Sequence, residues 1–333
     1  MTDDARIVAA ALRVRGTVQG VGFRPFVHRV ALAYGLAGWV RNTDAGVSIH
    51  VEGRQGDVEQ CLHALRTQAP AAAVVAHLDV DWVSPAHCRG FVIHESSPGG
   101  SSTTRISPDL ATCAACLREL QDPADARFGY PYINCTDCGP RYSIITGLPY
   151  DRGATTMAPW AMDARCRAEY VDPSNRRFHA QPLACPTCGP HYALVHDHAR
   201  IEGALEVVET AVALLRAGRI LAVKGIGGYH LSCDARNAAA VRALRERKFR
   251  KEKPFAMMVR DLEVAAGLAS LGEDDVALLQ GVARPIVLVP ARVVLEGVAP
   301  DTGELGLMLP YAPLHHLLFA AGAPDALVMT SAN

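Results

Sequence analysis

Four cysteines, Cys113, Cys116, Cys135 and Cys138, stand as two Cys-x-x-Cys pairs with eighteen residues between them, the spacing of a four-thiolate zinc site. Zinc held by four protein ligands has no open position for a substrate, so such a set staples the chain and does no catalysis. The arrangement recurs. The run from Cys116 to Tyr142 reappears fifty positions on, from Cys166 to Tyr192, with Glu, Asp-Pro, Arg-Phe and Cys-x-x-Cys-Gly-Pro at the same steps. One ligand fails to repeat, because Asp163 stands where Cys113 predicts a cysteine. Both pairs lie inside one repeat unit, so one ion is assigned to Cys113, Cys116, Cys135 and Cys138 and another to Cys166, Cys185 and Cys188. Asp163 can complete the second set through a carboxylate oxygen, a harder ligand that should weaken it. The alternative is a second site that is half-formed or empty.

A second constellation is Gln19-Gly20-Val21-Gly22-Phe23-Arg24, between an expected strand and an expected helix. Glycines there let backbone N–H groups turn inward at a helix N-terminus, where the dipole favours an anion, and Arg24 can add a bidentate grip on phosphate. Residues 20 to 24, namely Gly20, Val21, Gly22, Phe23 and Arg24, thus read as a phosphate cradle. Asn42, with both a donor and an acceptor, can position a water for in-line attack. The plain alternative is a tight turn, a solvated arginine and the first residue of a hairpin loop. Farther on, Lys224-Gly225-Ile226-Gly227-Gly228-Tyr229 lacks the spacing of a P-loop. The basic run Arg242 to Lys253 is either a solvated helix face or a grip on triphosphate. Thr330-Ser331-Ala332-Asn333 follows a strand, at the end where α/β sheets bind ligands.

Elements to carry these residues are legible in the periodicity. From Ile7 to about Glu95 the order is β-α-β-β-α-β, the ferredoxin-like split motif, with a hairpin turn at Thr43 to Gly46. Residues 96–105, with Ser96 to Thr104 as their flexible core, read as a linker. Residues 106–194 hold the cysteine repeat, whose few apolar positions leave metal to supply the missing stability. Residues 201–333 alternate helix and strand, with "PFAMMV", "RPIVLV" and "ALVMT" as buried strands, an α/β domain that stops directly after an apolar strand and so reads as incomplete. The fold class is therefore α+β multidomain. The 333 residues carry 33 Lys and Arg against 34 Asp and Glu, so no global field suggests nucleic acid or membrane. "CGPRYS" and "CGPHYA" lack a basic stripe as well. No apolar run approaches the ~20 residues of a bilayer span, and MTDDARIVAA lacks the features of a signal peptide. A cytoplasmic chain with reduced cysteines is expected. Cys61, Cys88 and Cys233 fall outside the pairs and read as buried packing.

"VRGTVQGVGFRPFVHRVALAYGLAGWVRNTDAGVSIHVEG" closely resembles the acylphosphatases. That resemblance implies hydrolysis of a carboxyl-phosphate anhydride, with Arg24 as the phosphate-binding catalytic residue and Asn42 orienting water. "AVKGIGGYHLSCDARN", "RALRERKFRKEKPFAMM", "LMLPYAPLHHLLF" and "LVMTSAN" resemble the YrdC domain as it occurs in the hydrogenase-maturation carbamoyltransferases, the HypF family. "YPYINCTDCGPRYSIITGLPYDRGATTM" and "RRFHAQPLACPTCGP" are similar to that family's zinc region. The resemblance implies the N-terminal architecture of such an enzyme, lacking the carbamoyl-transfer domain that follows. It further implies carbamoyl phosphate and ATP as substrates, carbamate and carbamoyl adenylate as intermediates, and the C-terminal cysteine of HypE as acceptor. Carbamate is unstable in water and is expected to pass through an enclosed space. Lys248, Arg250 and Lys253 would hold ATP phosphates, with Ser331 and Asn333 nearby and Mg²⁺ accompanying the nucleotide. A chain of this extent should keep the first step and cannot complete transfer to the partner. A tRNA threonylcarbamoyl adenylate synthase shares the YrdC fold, but neither the acylphosphatase segment nor the zinc repeat belongs to it. A zinc-ribbon RNA-binding protein would show a steep salt dependence of affinity.

Overall fold

The computed structural model describes residues 6–96 and 104–333. The expected linker lies almost wholly outside these residues, as do the first five positions. The chain divides into two compact units, Met1–Asp109 with Asn134–Cys188, and Leu110–Ile133 with Gly189–Asn333.

In the first unit β1 (Ile7–Thr17), α1 (Phe23–Ala33), β2 (Ala37–Thr43), β3 (Gly46–Arg54), α2 (Gln55–Thr67) and β4 (Val74–Val83) follow the split motif. A short β5 (Phe91–Ile93) adds in parallel beside β2, giving the order β4-β1-β3-β2-β5. Alternation decides which face is buried. Leu12 and Val14 of β1 and Ile49 and Val51 of β3 join Phe26 and Val27 of α1 and Val58, Cys61 and Leu65 of α2 in one core. Each such side chain contributes about 1.5–3 kcal/mol on burial. The β2–β3 turn needs glycine at Gly46, where φ is +141° and a Cβ would stand 2.1 Å from the Val14 carbonyl oxygen.

Each cysteine repeat opens on a short helix, α3 (Ala114–Gln121) in the second unit and α4 (Ala164–Val171) in the first. The boundary between the units passes through the first repeat, between Ile133 and Asn134.

The second unit continues with the hairpin β6 (Ala193–His196) and β7 (Ala199–Glu202), then α5 (Ala204–Arg216), β8 (Leu221–Lys224), β9 (Tyr229–Asp234) and α6 (Ala238–Lys248). After these come β10 (Ala256–Val259), α7 (Leu262–Leu268), α8 (Glu273–Gln280), β11 (Val287–Pro290), β12 (Glu304–Met308), α9 (Pro313–Ala320) and β13 (Ala326–Ser331). The sheet order is β11-β12-β10-β13-β9-β8, antiparallel except for the β10–β12 pair. Its central strands are unbroken apolar runs because both faces are covered. Met257, Val259, Ala326 and Val328 enter a core with Val241 and Leu244 of α6, whereas Met258, Leu327 and Met329 enter another with Leu215 and Phe319. Among the described residues no helix is long and apolar enough to cross a membrane.

Two adjacent histidines on α9 are expected to make this unit acid-sensitive. Burial pushes the pKa of His315 down to about 3 and that of His316 down to about 4. His315 stays a neutral acceptor, its Nδ1 taking the Ala312 N–H at 3.3 Å. The unfolded chain binds protons near pH 6.5 that the folded chain refuses. The stabilisation is therefore complete above about pH 6.5 and is lost as pH falls towards the folded values. The thermal unfolding midpoint is expected to drop between pH 7 and pH 5, with His315→Asn shrinking the drop. A midpoint equal at the two pH values would contradict this.

Candidate active site and metal centres

Gly20 and Gly22 both take left-handed backbone, with φ of +73° and +74°, and Gly22 is the N-cap of α1 with no side-chain cap. The first-turn N–H groups of α1 are thereby left for a ligand. Arg24 and Asn42 are buried at 7% and 1% exposure, which is unusual for a solvated arginine or a hairpin asparagine. They converge on one atom. Arg24 Nη2 donates to the Tyr150 carbonyl at 3.2 Å and Asn42 Nδ2 donates to the same carbonyl at 3.1 Å. Arg24 also pairs with the Asp151 carboxylate at 2.7 Å. Gln19 closes the arrangement: its Oε1 accepts from Tyr150 N at 2.9 Å, while its Nε2 donates to the carbonyls of Thr43 and Gly46 at 2.7 and 2.8 Å. The other buried group of Asn42, its Oδ1, has no hydrogen-bond partner in the protein.

The space left between these groups is a cavity of about 20 Å³, walled by Thr136, Arg141, His179 and Gln181 in addition to the cradle residues. That is room for about one water molecule. The anion paired with Arg24 here is the Asp151 carboxylate. Burial, aided by the Arg24 charge, pushes His179 down to about 4, so it lines the cavity as a neutral ring near pH 7. Arg141, at 2% exposure, donates through Nε to the Gly20 carbonyl. Its Nη1 reaches the carbonyls of Cys138 at 3.0 Å and Pro140 at 2.8 Å. Its Nη2 reaches those of Cys135 at 3.2 Å and Thr136 at 2.9 Å. One guanidinium thus ties the cysteine knuckle to the cradle loop.

The second cysteine set comes together within the first unit. Asp163, Cys166, Cys185 and Cys188 place their ligand atoms within 4.8 Å of one another. The Cys185–Cys188 and Cys188–Cys166 sulfur separations are 3.6 and 3.7 Å. Zn–S bonds near 2.3 Å in a tetrahedron require edges of about 3.8 Å, so these thiols already stand at zinc spacing. Asp163 divides its carboxylate: Oδ1 caps α4 by accepting from Cys166 N at 2.8 Å, and Oδ2 meets the Cys185 thiol at 3.0 Å. Aspartate is a preferred N-cap, which explains how a carboxylate can stand where the first repeat has cysteine. In the first repeat, Cys113 is the N-cap of α3 and Cys116 is buried on it, while the Cys135 and Cys138 sulfurs lie 3.8 Å apart. The residues present fit the donor sets of structural zinc.

In the second unit Lys248 Nζ donates to the carbonyls of Ser331 and Asn333, both at 2.7 Å, so three of the five residues assigned to nucleotide meet. Arg250 is turned to backbone, donating to the Lys253 carbonyl at 3.0 Å and the Pro254 carbonyl at 2.7 Å. The neighbouring Arg245 likewise braces the carbonyls of Arg250, Gly297 and Val298.

Sequence reasoning missed Gln19 as a brace, and Arg141, Tyr150 and Asp151 altogether. Tyr150 and Asp151 lie more than a hundred residues from the groups they meet and carry no pattern. Arg141 had one signal, since the repeat puts His191 at the corresponding step.

A split βαβ sheet whose glycine loop precedes Arg24, two cysteine sets and a six-stranded α/β sheet define a multidomain enzyme class that joins an acylphosphatase-like domain to a YrdC-like one. Family models match accordingly: acylphosphatase over residues 10–93, the HypF finger over 112–145 and 164–195, and the family described as telomere recombination (Sua5, YciO and YrdC) over 213–333. Carbamoyltransferase HypF of Rhizobium leguminosarum bv. viciae is 54% identical over 97% of this chain and 42% of its own length. An acylphosphatase of Thermotoga maritima is 42% identical over 26% of this chain and 94% of its own length. A crystal structure of full-length HypF, in its phosphate- and nucleotide-bound form, covers 98% of this chain and 43% of that one, with a TM-score of 0.91 and 41% identity. The chain belongs to the HypF family of carbamoyltransferases, and it spans about two fifths of the length of the curated relatives it matches.

Proposed function

We propose that this chain carries the carbamoyl-phosphate hydrolysing step of a hydrogenase-maturation carbamoyltransferase, together with part of its adenylation site. The observation that supports this most is the meeting of Arg24 and Asn42 on one oxygen, with Asn42 Oδ1 left over as a buried acceptor. The Tyr150 carbonyl and the Asp151 carboxylate stand in for substrate oxygens. With carbamoyl phosphate bound, Arg24 and the N–H groups of residues 20–24 hold the phosphoryl oxygens. Asn42 Oδ1 accepts from the attacking water and aims it at phosphorus. A new P–O bond forms to that water as the P–O bond to carbamate breaks, releasing phosphate and carbamate. Preorganised donors suffice for such a step, with no covalent nucleophile.

Carbamate would then meet ATP in the second unit, where Lys248, Arg250, Lys253, Ser331 and Asn333 are the proposed phosphate contacts and Mg²⁺ would accompany the nucleotide. The HypF crystal structure with phosphate and nucleotide bound supports both ligands. Carbamoyl transfer to the C-terminal cysteine of HypE completes the proposed sequence in the longer enzymes. Zinc on Cys113, Cys116, Cys135 and Cys138, and on Asp163, Cys166, Cys185 and Cys188, would serve as structural staples. The tRNA-modifying alternative accounts for only the YrdC-like region, residues 213–333, whereas curated HypF relatives match nearly the whole chain. The test is phosphate release from carbamoyl phosphate without ATP; release no faster than the spontaneous rate overturns the proposal.

Two further results are expected. Asp151→Ala removes the carboxylate that competes for Arg24; the arginine is buried and the aspartate partly solvated, at 8% and 32% side-chain exposure, so a net worth near the upper end of the usual range of about 0.2–1 kcal/mol is expected. The substrate KM should therefore fall about two- to fivefold with little change in kcat; an unchanged KM would mean that Asp151 does not compete. Asp163→Ala should lose one zinc per chain and about 1 kcal/mol of helix capping, whereas Asp163→Cys should keep the zinc. Equal zinc in all three proteins would show that Asp163 is no ligand.

A further inference from the structure

Outside the cradle and the fingers, a third group of ligand-type side chains meets on the first sheet. Ile49 and Val51 of β3 face the helices, so the intervening His50 and Glu52 point to the opposite face. Among the described residues α1 and α2 pack on the face of Ile49 and Val51, yet His50 and Glu52 are only 7% and 4% exposed. The chain between β4 and β5 covers them and brings Cys88 alongside. His50 Nε2, a Glu52 carboxylate oxygen and Cys88 Sγ all lie within 4.8 Å of one another. Sequence position alone had suggested packing for Cys88, as holds for the fully buried Cys61 and Cys233. Cys88 is half-buried, with its sulfur within 4.8 Å of a Glu52 carboxylate oxygen.

The Nε2–H of His50 points at the Glu52 carboxylate at 3.1 Å, and the Cys88 sulfur lies within 4.8 Å of the same carboxylate. The surrounding groups fix the three side chains. Glu52 accepts the N–H of Ala86 at 2.7 Å and the N–H of Cys88. The His50 ring stacks on its cross-strand partner Trp39, with centroids 6.2 Å apart and planes 17° from parallel. Backbone N–H donors on a carboxylate and a ring held by packing are the supports that orient metal ligands. Bracing of residues 86–88 needs Glu52 alone, and leaves the imidazole and the thiol unexplained.

We propose that His50, Glu52 and Cys88 form a third metal site, for a divalent cation of borderline softness, with zinc the best match to one nitrogen, one oxygen and one sulfur donor. The cation takes the place of the His50 Nε2 proton and the Cys88 thiol proton. Cys88 gives its thiol proton to solvent, and the Nε2 proton of His50 leaves as Nδ1 takes one up, so one proton is released per ion. The buried charge goes from −1 on Glu52 to zero with a dication, a carboxylate and a thiolate, which favours occupancy in a poorly solvated place. Three protein ligands leave the fourth position of a tetrahedron to water, which distinguishes this site from the closed finger sets.

The test is zinc per chain after dialysis against a buffered free-zinc series, for the wild type, Cys88→Ser, His50→Gln and a control at the exposed His63, His63→Gln. The two site variants are expected to hold one zinc fewer than the wild type and the control; equal zinc in all four folded proteins overturns the proposal. Should either site variant fail to fold, cadmium NMR of the wild type decides. A one-thiolate site gives a resonance apart from those of the three- and four-sulfur finger sites, and its absence at saturating cadmium also overturns the proposal.

Discussion

Replacing Arg24 by alanine is expected to cut phosphate release from carbamoyl phosphate by about 10²–10³-fold, the usual cost of removing one preorganised donor from a developing anion. Arg24 is buried and reaches the spot that Asn42 also reaches, so a bulk cation or water cannot replace it at that geometry. Arg24→Lys should recover little, because an ammonium lacks the planar fork that grips two phosphoryl oxygens. The variants should also separate in kind. In the proposed role Arg24 holds the phosphoryl oxygens in the ground state and more strongly as charge develops in the transition state, so its loss should raise KM and lower kcat. Asn42→Ala removes the acceptor for the attacking water, so kcat should fall with KM nearly unchanged. Arg24→Ala also releases its hold on Tyr150 and Asp151, and the comparison is made where circular dichroism shows both proteins folded. Equal rates for wild type and Arg24→Ala would remove Arg24 from the reaction.

The parts of this site that were legible in the sequence are those whose chemistry is local. Gly20 and Gly22 need left-handed backbone, and Arg24 and Asn42 sit at the ends of elements that the hydrophobic period already marks. The long apolar strands were legible too, because Met257 and Met258 serve different cores and leave no polar step between them. Long-range partners were not. The Tyr150 carbonyl is backbone, which no residue-type argument can reach, and Asp151 resembles any loop aspartate until it meets Arg24. Asp163 was visible as a departure from the repeat, but its acceptance rests on capping geometry that only the folded α4 displays. The basic run was legible only as charge: that the Arg250 guanidinium donates to the Lys253 and Pro254 carbonyls, in the loop after α6, is a backbone contact that no residue-type pattern announces.

Arg141→Met is expected to be the most damaging single change to stability in the first unit. The side chain is almost fully buried, and its guanidinium serves five backbone carbonyls, none of which methionine can satisfy. Stranding that many buried acceptors costs about 3–5 kcal/mol even after partial relaxation. At about 2–4 °C per kcal/mol, the thermal midpoint should fall by roughly 10 °C. Loss of bracing has two further readouts that a merely smaller core would not give. The carbonyls of Cys135, Thr136 and Cys138 would lose their common donor, so zinc on this knuckle should pass to a chelator faster than in the wild type. The Gly20 carbonyl would also be released, loosening the peptide that presents the cradle N–H groups. Phosphate release should then drop well below the wild-type rate even at temperatures where the variant is fully folded. Arg141→Lys reaches fewer of the carbonyls and should fall between the two proteins in all three measurements. A variant with wild-type zinc exchange and wild-type turnover would show that the knuckle and the cradle are held independently.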